Sequence, residues 1–156
     1  MNIFHELGVR EGKDRMNEEV IYNVARAYAI IDTFISKFLE TYNLSPAKFN
    51  ILLMVKHVGR DKGIPQQEIS KLLLVTTSNT TRMIDKLEKN EYVERAHKEG
   101  DRRVNLIRIT KKGSDLLDAI WPHYKEKVNK FIESQFGKGD IHQLNKLLEK
   151  FIKKDK

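Results

Sequence analysis

Thr76-Thr-Ser-Asn-Thr-Thr-Arg82-Met-Ile-Asp-Lys-Leu-Glu-Lys89, then Tyr92-Val-Glu-Arg-Ala96 and Arg103-Val-Asn-Leu-Ile-Arg-Ile109, is the stretch on which the fold turns. Its first part opens with hydroxyl residues suited to starting a helix and continues with Met83, Ile84 and Leu87 as an inner face. Its second part is a pair of short β-prone runs around His97-Lys-Glu-Gly-Asp-Arg102, which predicts a hairpin. Upstream, Pro65 starts another helix carrying Ile69, Leu72 and Leu73, and a break near Leu74-Val75 separates the two. Two short helices, a tight turn and an immediate hairpin make a winged helix-turn-helix. In that arrangement the second helix enters a DNA major groove, and the hairpin lies on the backbone or minor groove.

The side chains supply a reason to expect DNA there. Hydroxylic and β-branched residues stabilise a helix poorly, because they lose rotamer freedom or compete for backbone hydrogen bonds. They do present short donors and acceptors to phosphates and base edges at a positive helix N-terminus. No Asp or Glu occurs across 69–84, where the overall frequency of 22 in 156 would place about two. At the hairpin tip, Asp101 and Arg103 are two apart on an extended chain and project from one face, so the carboxylate can orient the guanidinium for a narrow minor groove. Arg102 points the other way, toward phosphate. Taken singly, each feature has a plainer account: a polar turn without a partner, or an exposed ion pair worth little. Ten Lys/Arg against six Asp/Glu across 82–112 add a local net charge of +4. Helix composition, hairpin tip and charge sign agree, and it is the agreement that carries weight.

Outward from this unit the chain is helical on both sides. Val20, Val24, Ala27, Tyr28, Ile31, Phe34, Ile35, Phe38, Leu39 and Tyr42 form one stripe of a helix over roughly 14–42. So long a helix needs a partner along its length, so it reads as shared between subunits. Asn43-Leu44 breaks it, and Ser45-Pro46 offers an N-cap with proline at the first helical position. Phe49, Leu52, Leu53 and Val58 continue a helix to Gly59, and Gly59-Arg-Asp-Lys-Gly63 reads as a loop. After Gly113, Leu116, Leu117, Ile120, Trp121, Tyr124, Val128, Phe131 and Ile132 mark a long helix that Pro122 should kink. A Gly137-Lys-Gly139 turn leads to a last helix with Ile141, Leu144, Leu147, Leu148, Phe151 and Ile152. The expected fold is mainly α with a small β-hairpin wing. A helical dimerisation region over 1–44 and 114–156 flanks a winged helix-turn-helix lobe over 45–113.

Composition narrows the function. With 40% apolar and 33% charged residues in 156, the chain can bury one core under a charged surface. A net charge of +7 predisposes to a polyanionic partner. Zero Cys excludes disulfides, thiol nucleophiles and thiolate metal sites. No apolar run spans a bilayer and the N-terminus lacks a signal-peptide pattern, so a cytoplasmic protein without a membrane partner is expected. Ser45-Pro-Ala-Lys48 matches a Ser-x-x-Lys pattern without its companion motifs, and the cap explains Ser45. The glycines form no phosphate-binding loop, and the five His residues show no ligand pair at helical spacing. No enzyme, cofactor or metal is expected.

The run from Ile69 to Gly113, above all Asp85-Lys-Leu-Glu-Lys before Tyr92-Val-Glu-Arg95, and Asp101-Arg-Arg103 with Ile109-Thr-Lys-Lys-Gly113, resembles the MarR (multiple antibiotic resistance regulator) family. The terminal helices match that family's layout in length and order. Two departures stand out: Leu74 occupies a turn where the family often has glycine, and Glu91 sits where glycine commonly ends the recognition helix, which matters little if Asn90 takes the left-handed conformation. The resemblance implies a homodimeric, ligand-responsive transcriptional regulator, a repressor reading a pseudo-palindromic operator. Carried over, Thr77, Ser78, Asn79, Thr81 and Arg82 become major-groove and phosphate contacts, with Arg103 the minor-groove residue and Asp101 its support. Tyr28, Phe49 and Trp121 become candidates for lining a cleft for a small aromatic or lipophilic effector, with ordinary core packing the competing account of each. The alternatives are a winged-helix module for protein contacts and a binder of anionic surfaces.

Overall fold

A computed structural model describes residues 15–73, 77–98 and 101–153, with the backbone alone at 77, 98, 101–104, 152 and 153. Leu74 lies outside the described residues. Helix α1 spans Met16–Glu40, α2 Pro46–Met54, α3 Gln66–Leu73, α4 Thr77–Lys89, α5 Lys111–Gln135 and α6 Lys138–Lys153. Strands β1 (Ile64–Pro65), β2 (Val93–Lys98) and β3 (Asp101–Ile109) form an antiparallel sheet in the order β1-β3-β2. The expected succession of four helices, a hairpin and two helices is the observed one.

The chain breaks have local causes. At the end of α1, Asn43 takes left-handed backbone (φ 56°), while Leu44 N–H returns to the Leu39 carbonyl at 3.1 Å and Asn43 N–H to Glu40 at 2.9 Å. That pair of bonds is a Schellman motif, which satisfies carbonyls the helix end would leave open. Ser45 Oγ accepts from Lys48 N–H at 3.4 Å and Pro46 follows at the first helical position, as read from the sequence. The same Schellman motif ends α4: Tyr92 N–H reaches the Leu87 carbonyl at 3.0 Å and Glu91 N–H reaches Glu88 at 2.8 Å. Here Glu91, at the position where the family commonly has glycine, itself holds the positive φ (60°), and Asn90 does not take it over. The motif's bond pattern fixes the left-handed residue at the second position past the helix, wherever the friendlier side chain stands.

Three boundaries differ from the sequence reading. The segment 59–63 is not an open loop: α2 runs on through a π turn, Val55–Gly59, and a 3₁₀ turn, Arg60–Lys62. Pro65 does not start a helix. It ends β1, which pairs Ile64 with Ile107 and Pro65 with Leu106. Proline is tolerated on such an edge strand because only one side of it must bond. Gly63 makes the entry possible, with φ 80° and a Cβ position that would meet Arg108 Cγ at 2.8 Å. Finally, Gly139 lies inside α6, whose start is tied by Gly137 N–H to Asp140 Oδ2 at 3.2 Å.

One core holds the lobe. Phe49, Ile51 and Leu52 from α2 and Val55 of the π turn share one cluster with Ile64, Ile69, Ile84, Leu87, Val93 and Ile107. Leu39 of α1, Leu44, and Leu117 and Ile120 of α5 belong to the same cluster. Beyond those near ends the long helices leave the core. Val20, Ile21, Val24, Tyr28 and Ile31 on α1 and Leu144, Leu147, Leu148 and Phe151 on α6 are all exposed in the single chain.

Candidate nucleic-acid interface

Helix α4 has a clear inside and outside. Thr80, Ile84 and Leu87 are buried against the lobe, whereas Ser78, Asn79, Arg82, Lys86 and Lys89 are exposed. Ser78, Arg82 and Lys86 follow one another at four-residue steps, so they share one face with Asn79 beside them. Ser78, Asn79 and Arg82, which the resemblance marks as DNA contacts, are exposed on this face. Lys86, not singled out in the sequence, joins them one helical step after Arg82. Thr81 is turned partly inward, its hydroxyl accepting from Gln66 Nε2 at 2.7 Å, which fastens α4 to the start of α3. The Thr77 backbone opens the helix; its side chain lies outside the described residues, as do those of Asp101, Arg102 and Arg103. Their backbones form the first residues of β3, beyond a register shift at His97/Lys98.

The charges on α4 are ordered. Its first turn carries no acid, and its two carboxylates, Asp85 and Glu88, are both engaged by Arg95 of β2, Nη2 to the first and Nη1 to the second. The cations Arg82, Lys86 and Lys89 therefore face outward without an acidic neighbour left uncompensated on the helix.

At the other end of the reading unit, recognition helix, wing and α5 converge. Thr110 N–H donates to the Tyr92 carbonyl at 3.1 Å and Thr110 Oγ1 to the Glu91 carbonyl at 2.6 Å, while the same oxygen caps α5 by accepting from Gly113 N–H at 3.0 Å. Lys112 Nζ lies 2.9 Å from Glu91 and holds its carboxyl below the usual range. Gly113 is buried against the Tyr92 carbonyl.

The three aromatic residues expected at an effector cleft do not meet. Tyr28 is 68% exposed far out on α1, and Phe49 is 1% exposed inside the core. Trp121 stacks on Tyr124 at 5.7 Å, and Phe49 touches the same Tyr124 at 5.1 Å between ring centroids. Burial pushes the Tyr124 phenol above its ordinary pKa, so it stays a neutral hydrogen-bonding group. The cavities lie to either side. A cleft of about 490 Å³ between α1 and α5 is lined by Phe34, Lys37, Phe38, Thr41, Tyr42, His123 and Lys127. A smaller one of about 160 Å³ has Leu53, Lys56 and His57 facing Leu117, Asp118 and Trp121, with Lys56 Nζ bonded to Asp118 Oδ1 at 2.6 Å across it. Among the described residues no group of three or more His, Asp or Glu could hold a metal, and no helix is long and apolar enough to cross a membrane.

Comparison with known proteins agrees with this geometry. The MarR family model matches residues 44–104. The HTH-type transcriptional regulator MhqR of Bacillus subtilis is 29% identical over 127 residues, covering 81% of this chain and 85% of its own. PecS of Dickeya dadantii, also an HTH-type transcriptional regulator, is 30% identical over 129 residues, 83% and 77% of the two chains. In fold, a mutant MarR from E. coli, solved in complex with operator DNA, superposes with a TM-score of 0.80 at 19% identity over 90% of this chain and 99% of that one. A polar recognition face whose carboxylates are paired by Arg95, on a winged helix-turn-helix with relatives of this kind over most of its length, places one conclusion beyond the fold itself: the chain belongs to the MarR family of helix-turn-helix transcriptional regulators.

Proposed function

We propose that the chain is a ligand-responsive repressor that binds a pseudo-palindromic operator as a homodimer. The observation that carries this is the single outward face of α4, with Ser78, Asn79, Arg82 and Lys86 exposed and both carboxylates of the helix drawn aside by Arg95. Ser78, Asn79 and Arg82 would read base edges in the major groove, with Thr77 and Lys86 on flanking phosphates and Thr81 oriented through Gln66. Arg102 would take a phosphate at the wing, and Arg103, steadied by Asp101, the minor groove.

Selection of preferred duplexes from a random pool tests the reading directly. A recovered inverted repeat supports it, and recovery of no preference at any salt rejects it in favour of a protein-binding module or a charge-driven surface binder. On the recovered duplex, Arg82→Ala should weaken binding by roughly 1–3 kcal/mol if Arg82 grips a base. If it touches phosphate instead, the slope of log affinity against log salt should fall by about 1. Full-strength binding with an unchanged slope would remove Arg82 from the interface. Fluorescence anisotropy across a salt series reads both quantities.

The second copy is argued from the exposed apolar stripes on α1 and α6. Met16, Ile21, Tyr28 and Phe151 are each more than half exposed in the single chain, a surface that a soluble monomer rarely keeps. Two-fold pairing of these helices would hold two α4 helices about 34–36 Å apart, the spacing of successive major grooves. Sedimentation at micromolar concentration should show a dimer, and Leu144→Glu combined with Leu148→Glu should shift it toward monomer; a monomeric parent protein contradicts the proposal.

For the effector, the α1/α5 cleft fits better than Tyr28, Phe49 and Trp121, which do not meet in one pocket. Its wall combines the rings of Phe34, Phe38 and Tyr42 with the cations Lys37 and Lys127. It joins the helix proposed for dimerisation to the one that begins at the base of the wing. A small aromatic ligand there could change the relative setting of the two lobes and so the operator affinity.

A further inference from the structure

Arg95 lies on the first strand of the wing, yet its guanidinium is spent on the recognition helix. Nη2 reaches Asp85 and Nη1 reaches Glu88, two carboxylates three residues apart on α4. We propose that Arg95 is a positioning residue that locks recognition helix and wing into one rigid reading head, so that groove and backbone contacts are made together. This rests on the DNA-binding reading above.

Three features support it. First, the connection between α4 and β2 is only Asn90, Glu91 and Tyr92, and Glu91 is the left-handed residue about which the strand leaves the helix. A short pivot sets where the wing starts, but a second point of attachment is needed to set its angle. Second, apart from the Thr110 bonds at the pivot itself, the two elements share the buried cluster that holds Val93 and Ile107 with Ile84 and Leu87. Apolar packing is non-directional, whereas a planar guanidinium held at two nitrogens fixes both distance and rotation. Third, the Arg95 side chain is 27% exposed and its partners 38% and 56%, a setting in which ion pairs add little to stability. The consequence of losing them is then geometric before it is thermodynamic. The same fork keeps two acidic groups from facing phosphate, so orientation and charge are served by one side chain.

The chain has no cysteine, so two introduced ones can be labelled cleanly. Spin labels at Lys86→Cys on α4 and His97→Cys on β2, in labelled chains diluted with unlabelled protein, report the angle without DNA. The distance distribution should be narrow in the parent, broaden in Arg95→Gln, and narrow again when the charges are exchanged as Glu88→Arg with Arg95→Glu. On unlabelled protein, discrimination between the selected duplex and a scrambled one should fall about tenfold in Arg95→Gln and recover in the exchanged pair, a size usual for residues that couple two sites. The melting temperature should move little. Unchanged distances in Arg95→Gln would overturn the lock. A broadened distribution with intact discrimination would overturn its role in reading DNA, and a large loss of melting temperature would make Arg95 a stability residue instead. If the parent protein prefers no duplex, the DNA reading and the role in it both fall, while the labels still decide whether the two elements are locked.

Discussion

Gly113→Ala should lower the unfolding free energy by about 3 kcal/mol, the upper end of the usual cost of forcing a methyl group into filled space. A Cβ there would lie 2.9 Å from the Tyr92 carbonyl carbon, nearer still to its oxygen, and 3.1 Å from Ile109 Cγ1. Neither backbone carbonyl nor strand can step aside, because the Tyr92 oxygen also accepts from Thr110 N–H at 3.1 Å. The sign is the informative part. Gly113 sits in the first turn of α5, where helix propensity alone makes alanine better than glycine by up to about 1 kcal/mol. Gly139, in the first turn of α6, has nothing within 4 Å of the same position, so Gly139→Ala should stabilise by about 0.5 kcal/mol. Urea unfolding of both variants at one fixed protein concentration gives the comparison, since association would otherwise shift the midpoints. A Gly113→Ala protein as stable as its parent would mean that α5 does not bear on the Tyr92 carbonyl. That contact matters beyond stability: Tyr92 closes the turn that ends the recognition helix through its N–H bond to the Leu87 carbonyl, so any shift of the α5 start is passed directly to the last turn of α4.

What the sequence disclosed and what it withheld divide along physical lines. Ser45-Pro46 and Asn43 are local signals, and each sits at the boundary it announced, whereas the last long helix before Gly137 starts at Lys111 behind a Thr110 cap and not after Gly113. Strand β1 gave no such signal. Two residues are too few for a period, and Ile64–Pro65 is a strand only because β3 offers Ile107 and Leu106 to pair with. The sequence marked Glu91 as standing at the usual glycine position but not which residue turns left-handed there: side-chain preference favours Asn90, and the bonding pattern of the helix end selects a position, not a residue type. On α4 the resemblance pointed to Ser78, Asn79 and Arg82, and the four-residue step from Ser78 to Arg82 continues to Lys86. The cleft between α1 and α5 was out of reach. Periodicity tells which face of each helix is apolar, but only the packed pair, with Phe34 stacked on Phe131 at 4.2 Å, shows where the two faces part and leave room.

Phe49→Ala should cost about 3–5 kcal/mol, the range for emptying an aromatic core position, and lower the melting temperature by about 10 °C or more. Phe49 is 1% exposed, stands one turn before the buried Leu52, and packs its ring against Tyr124 at 5.1 Å. Nothing in that setting opens to a ligand. Trp121, 46% exposed on the other side of Tyr124, should lose about 1 kcal/mol on truncation, mostly the stacking. The contrast separates two roles that look alike in the sequence, where both are aromatic residues at helical spacing. A residue that walls an effector cleft alters the ligand's effect on operator affinity while the fold stands. A core residue does the reverse. Phe49→Leu, which keeps most of the volume, allows the ligand titration to be run on folded protein. It should leave any effector response unchanged, whereas Lys127→Gln at the α1/α5 cleft should weaken the response to an anionic aromatic ligand with little change in melting temperature. A response lost in Phe49→Leu and kept in Lys127→Gln would move the effector from the α1/α5 cleft into the lobe, and would show that the ring of Phe49 is displaced when ligand binds.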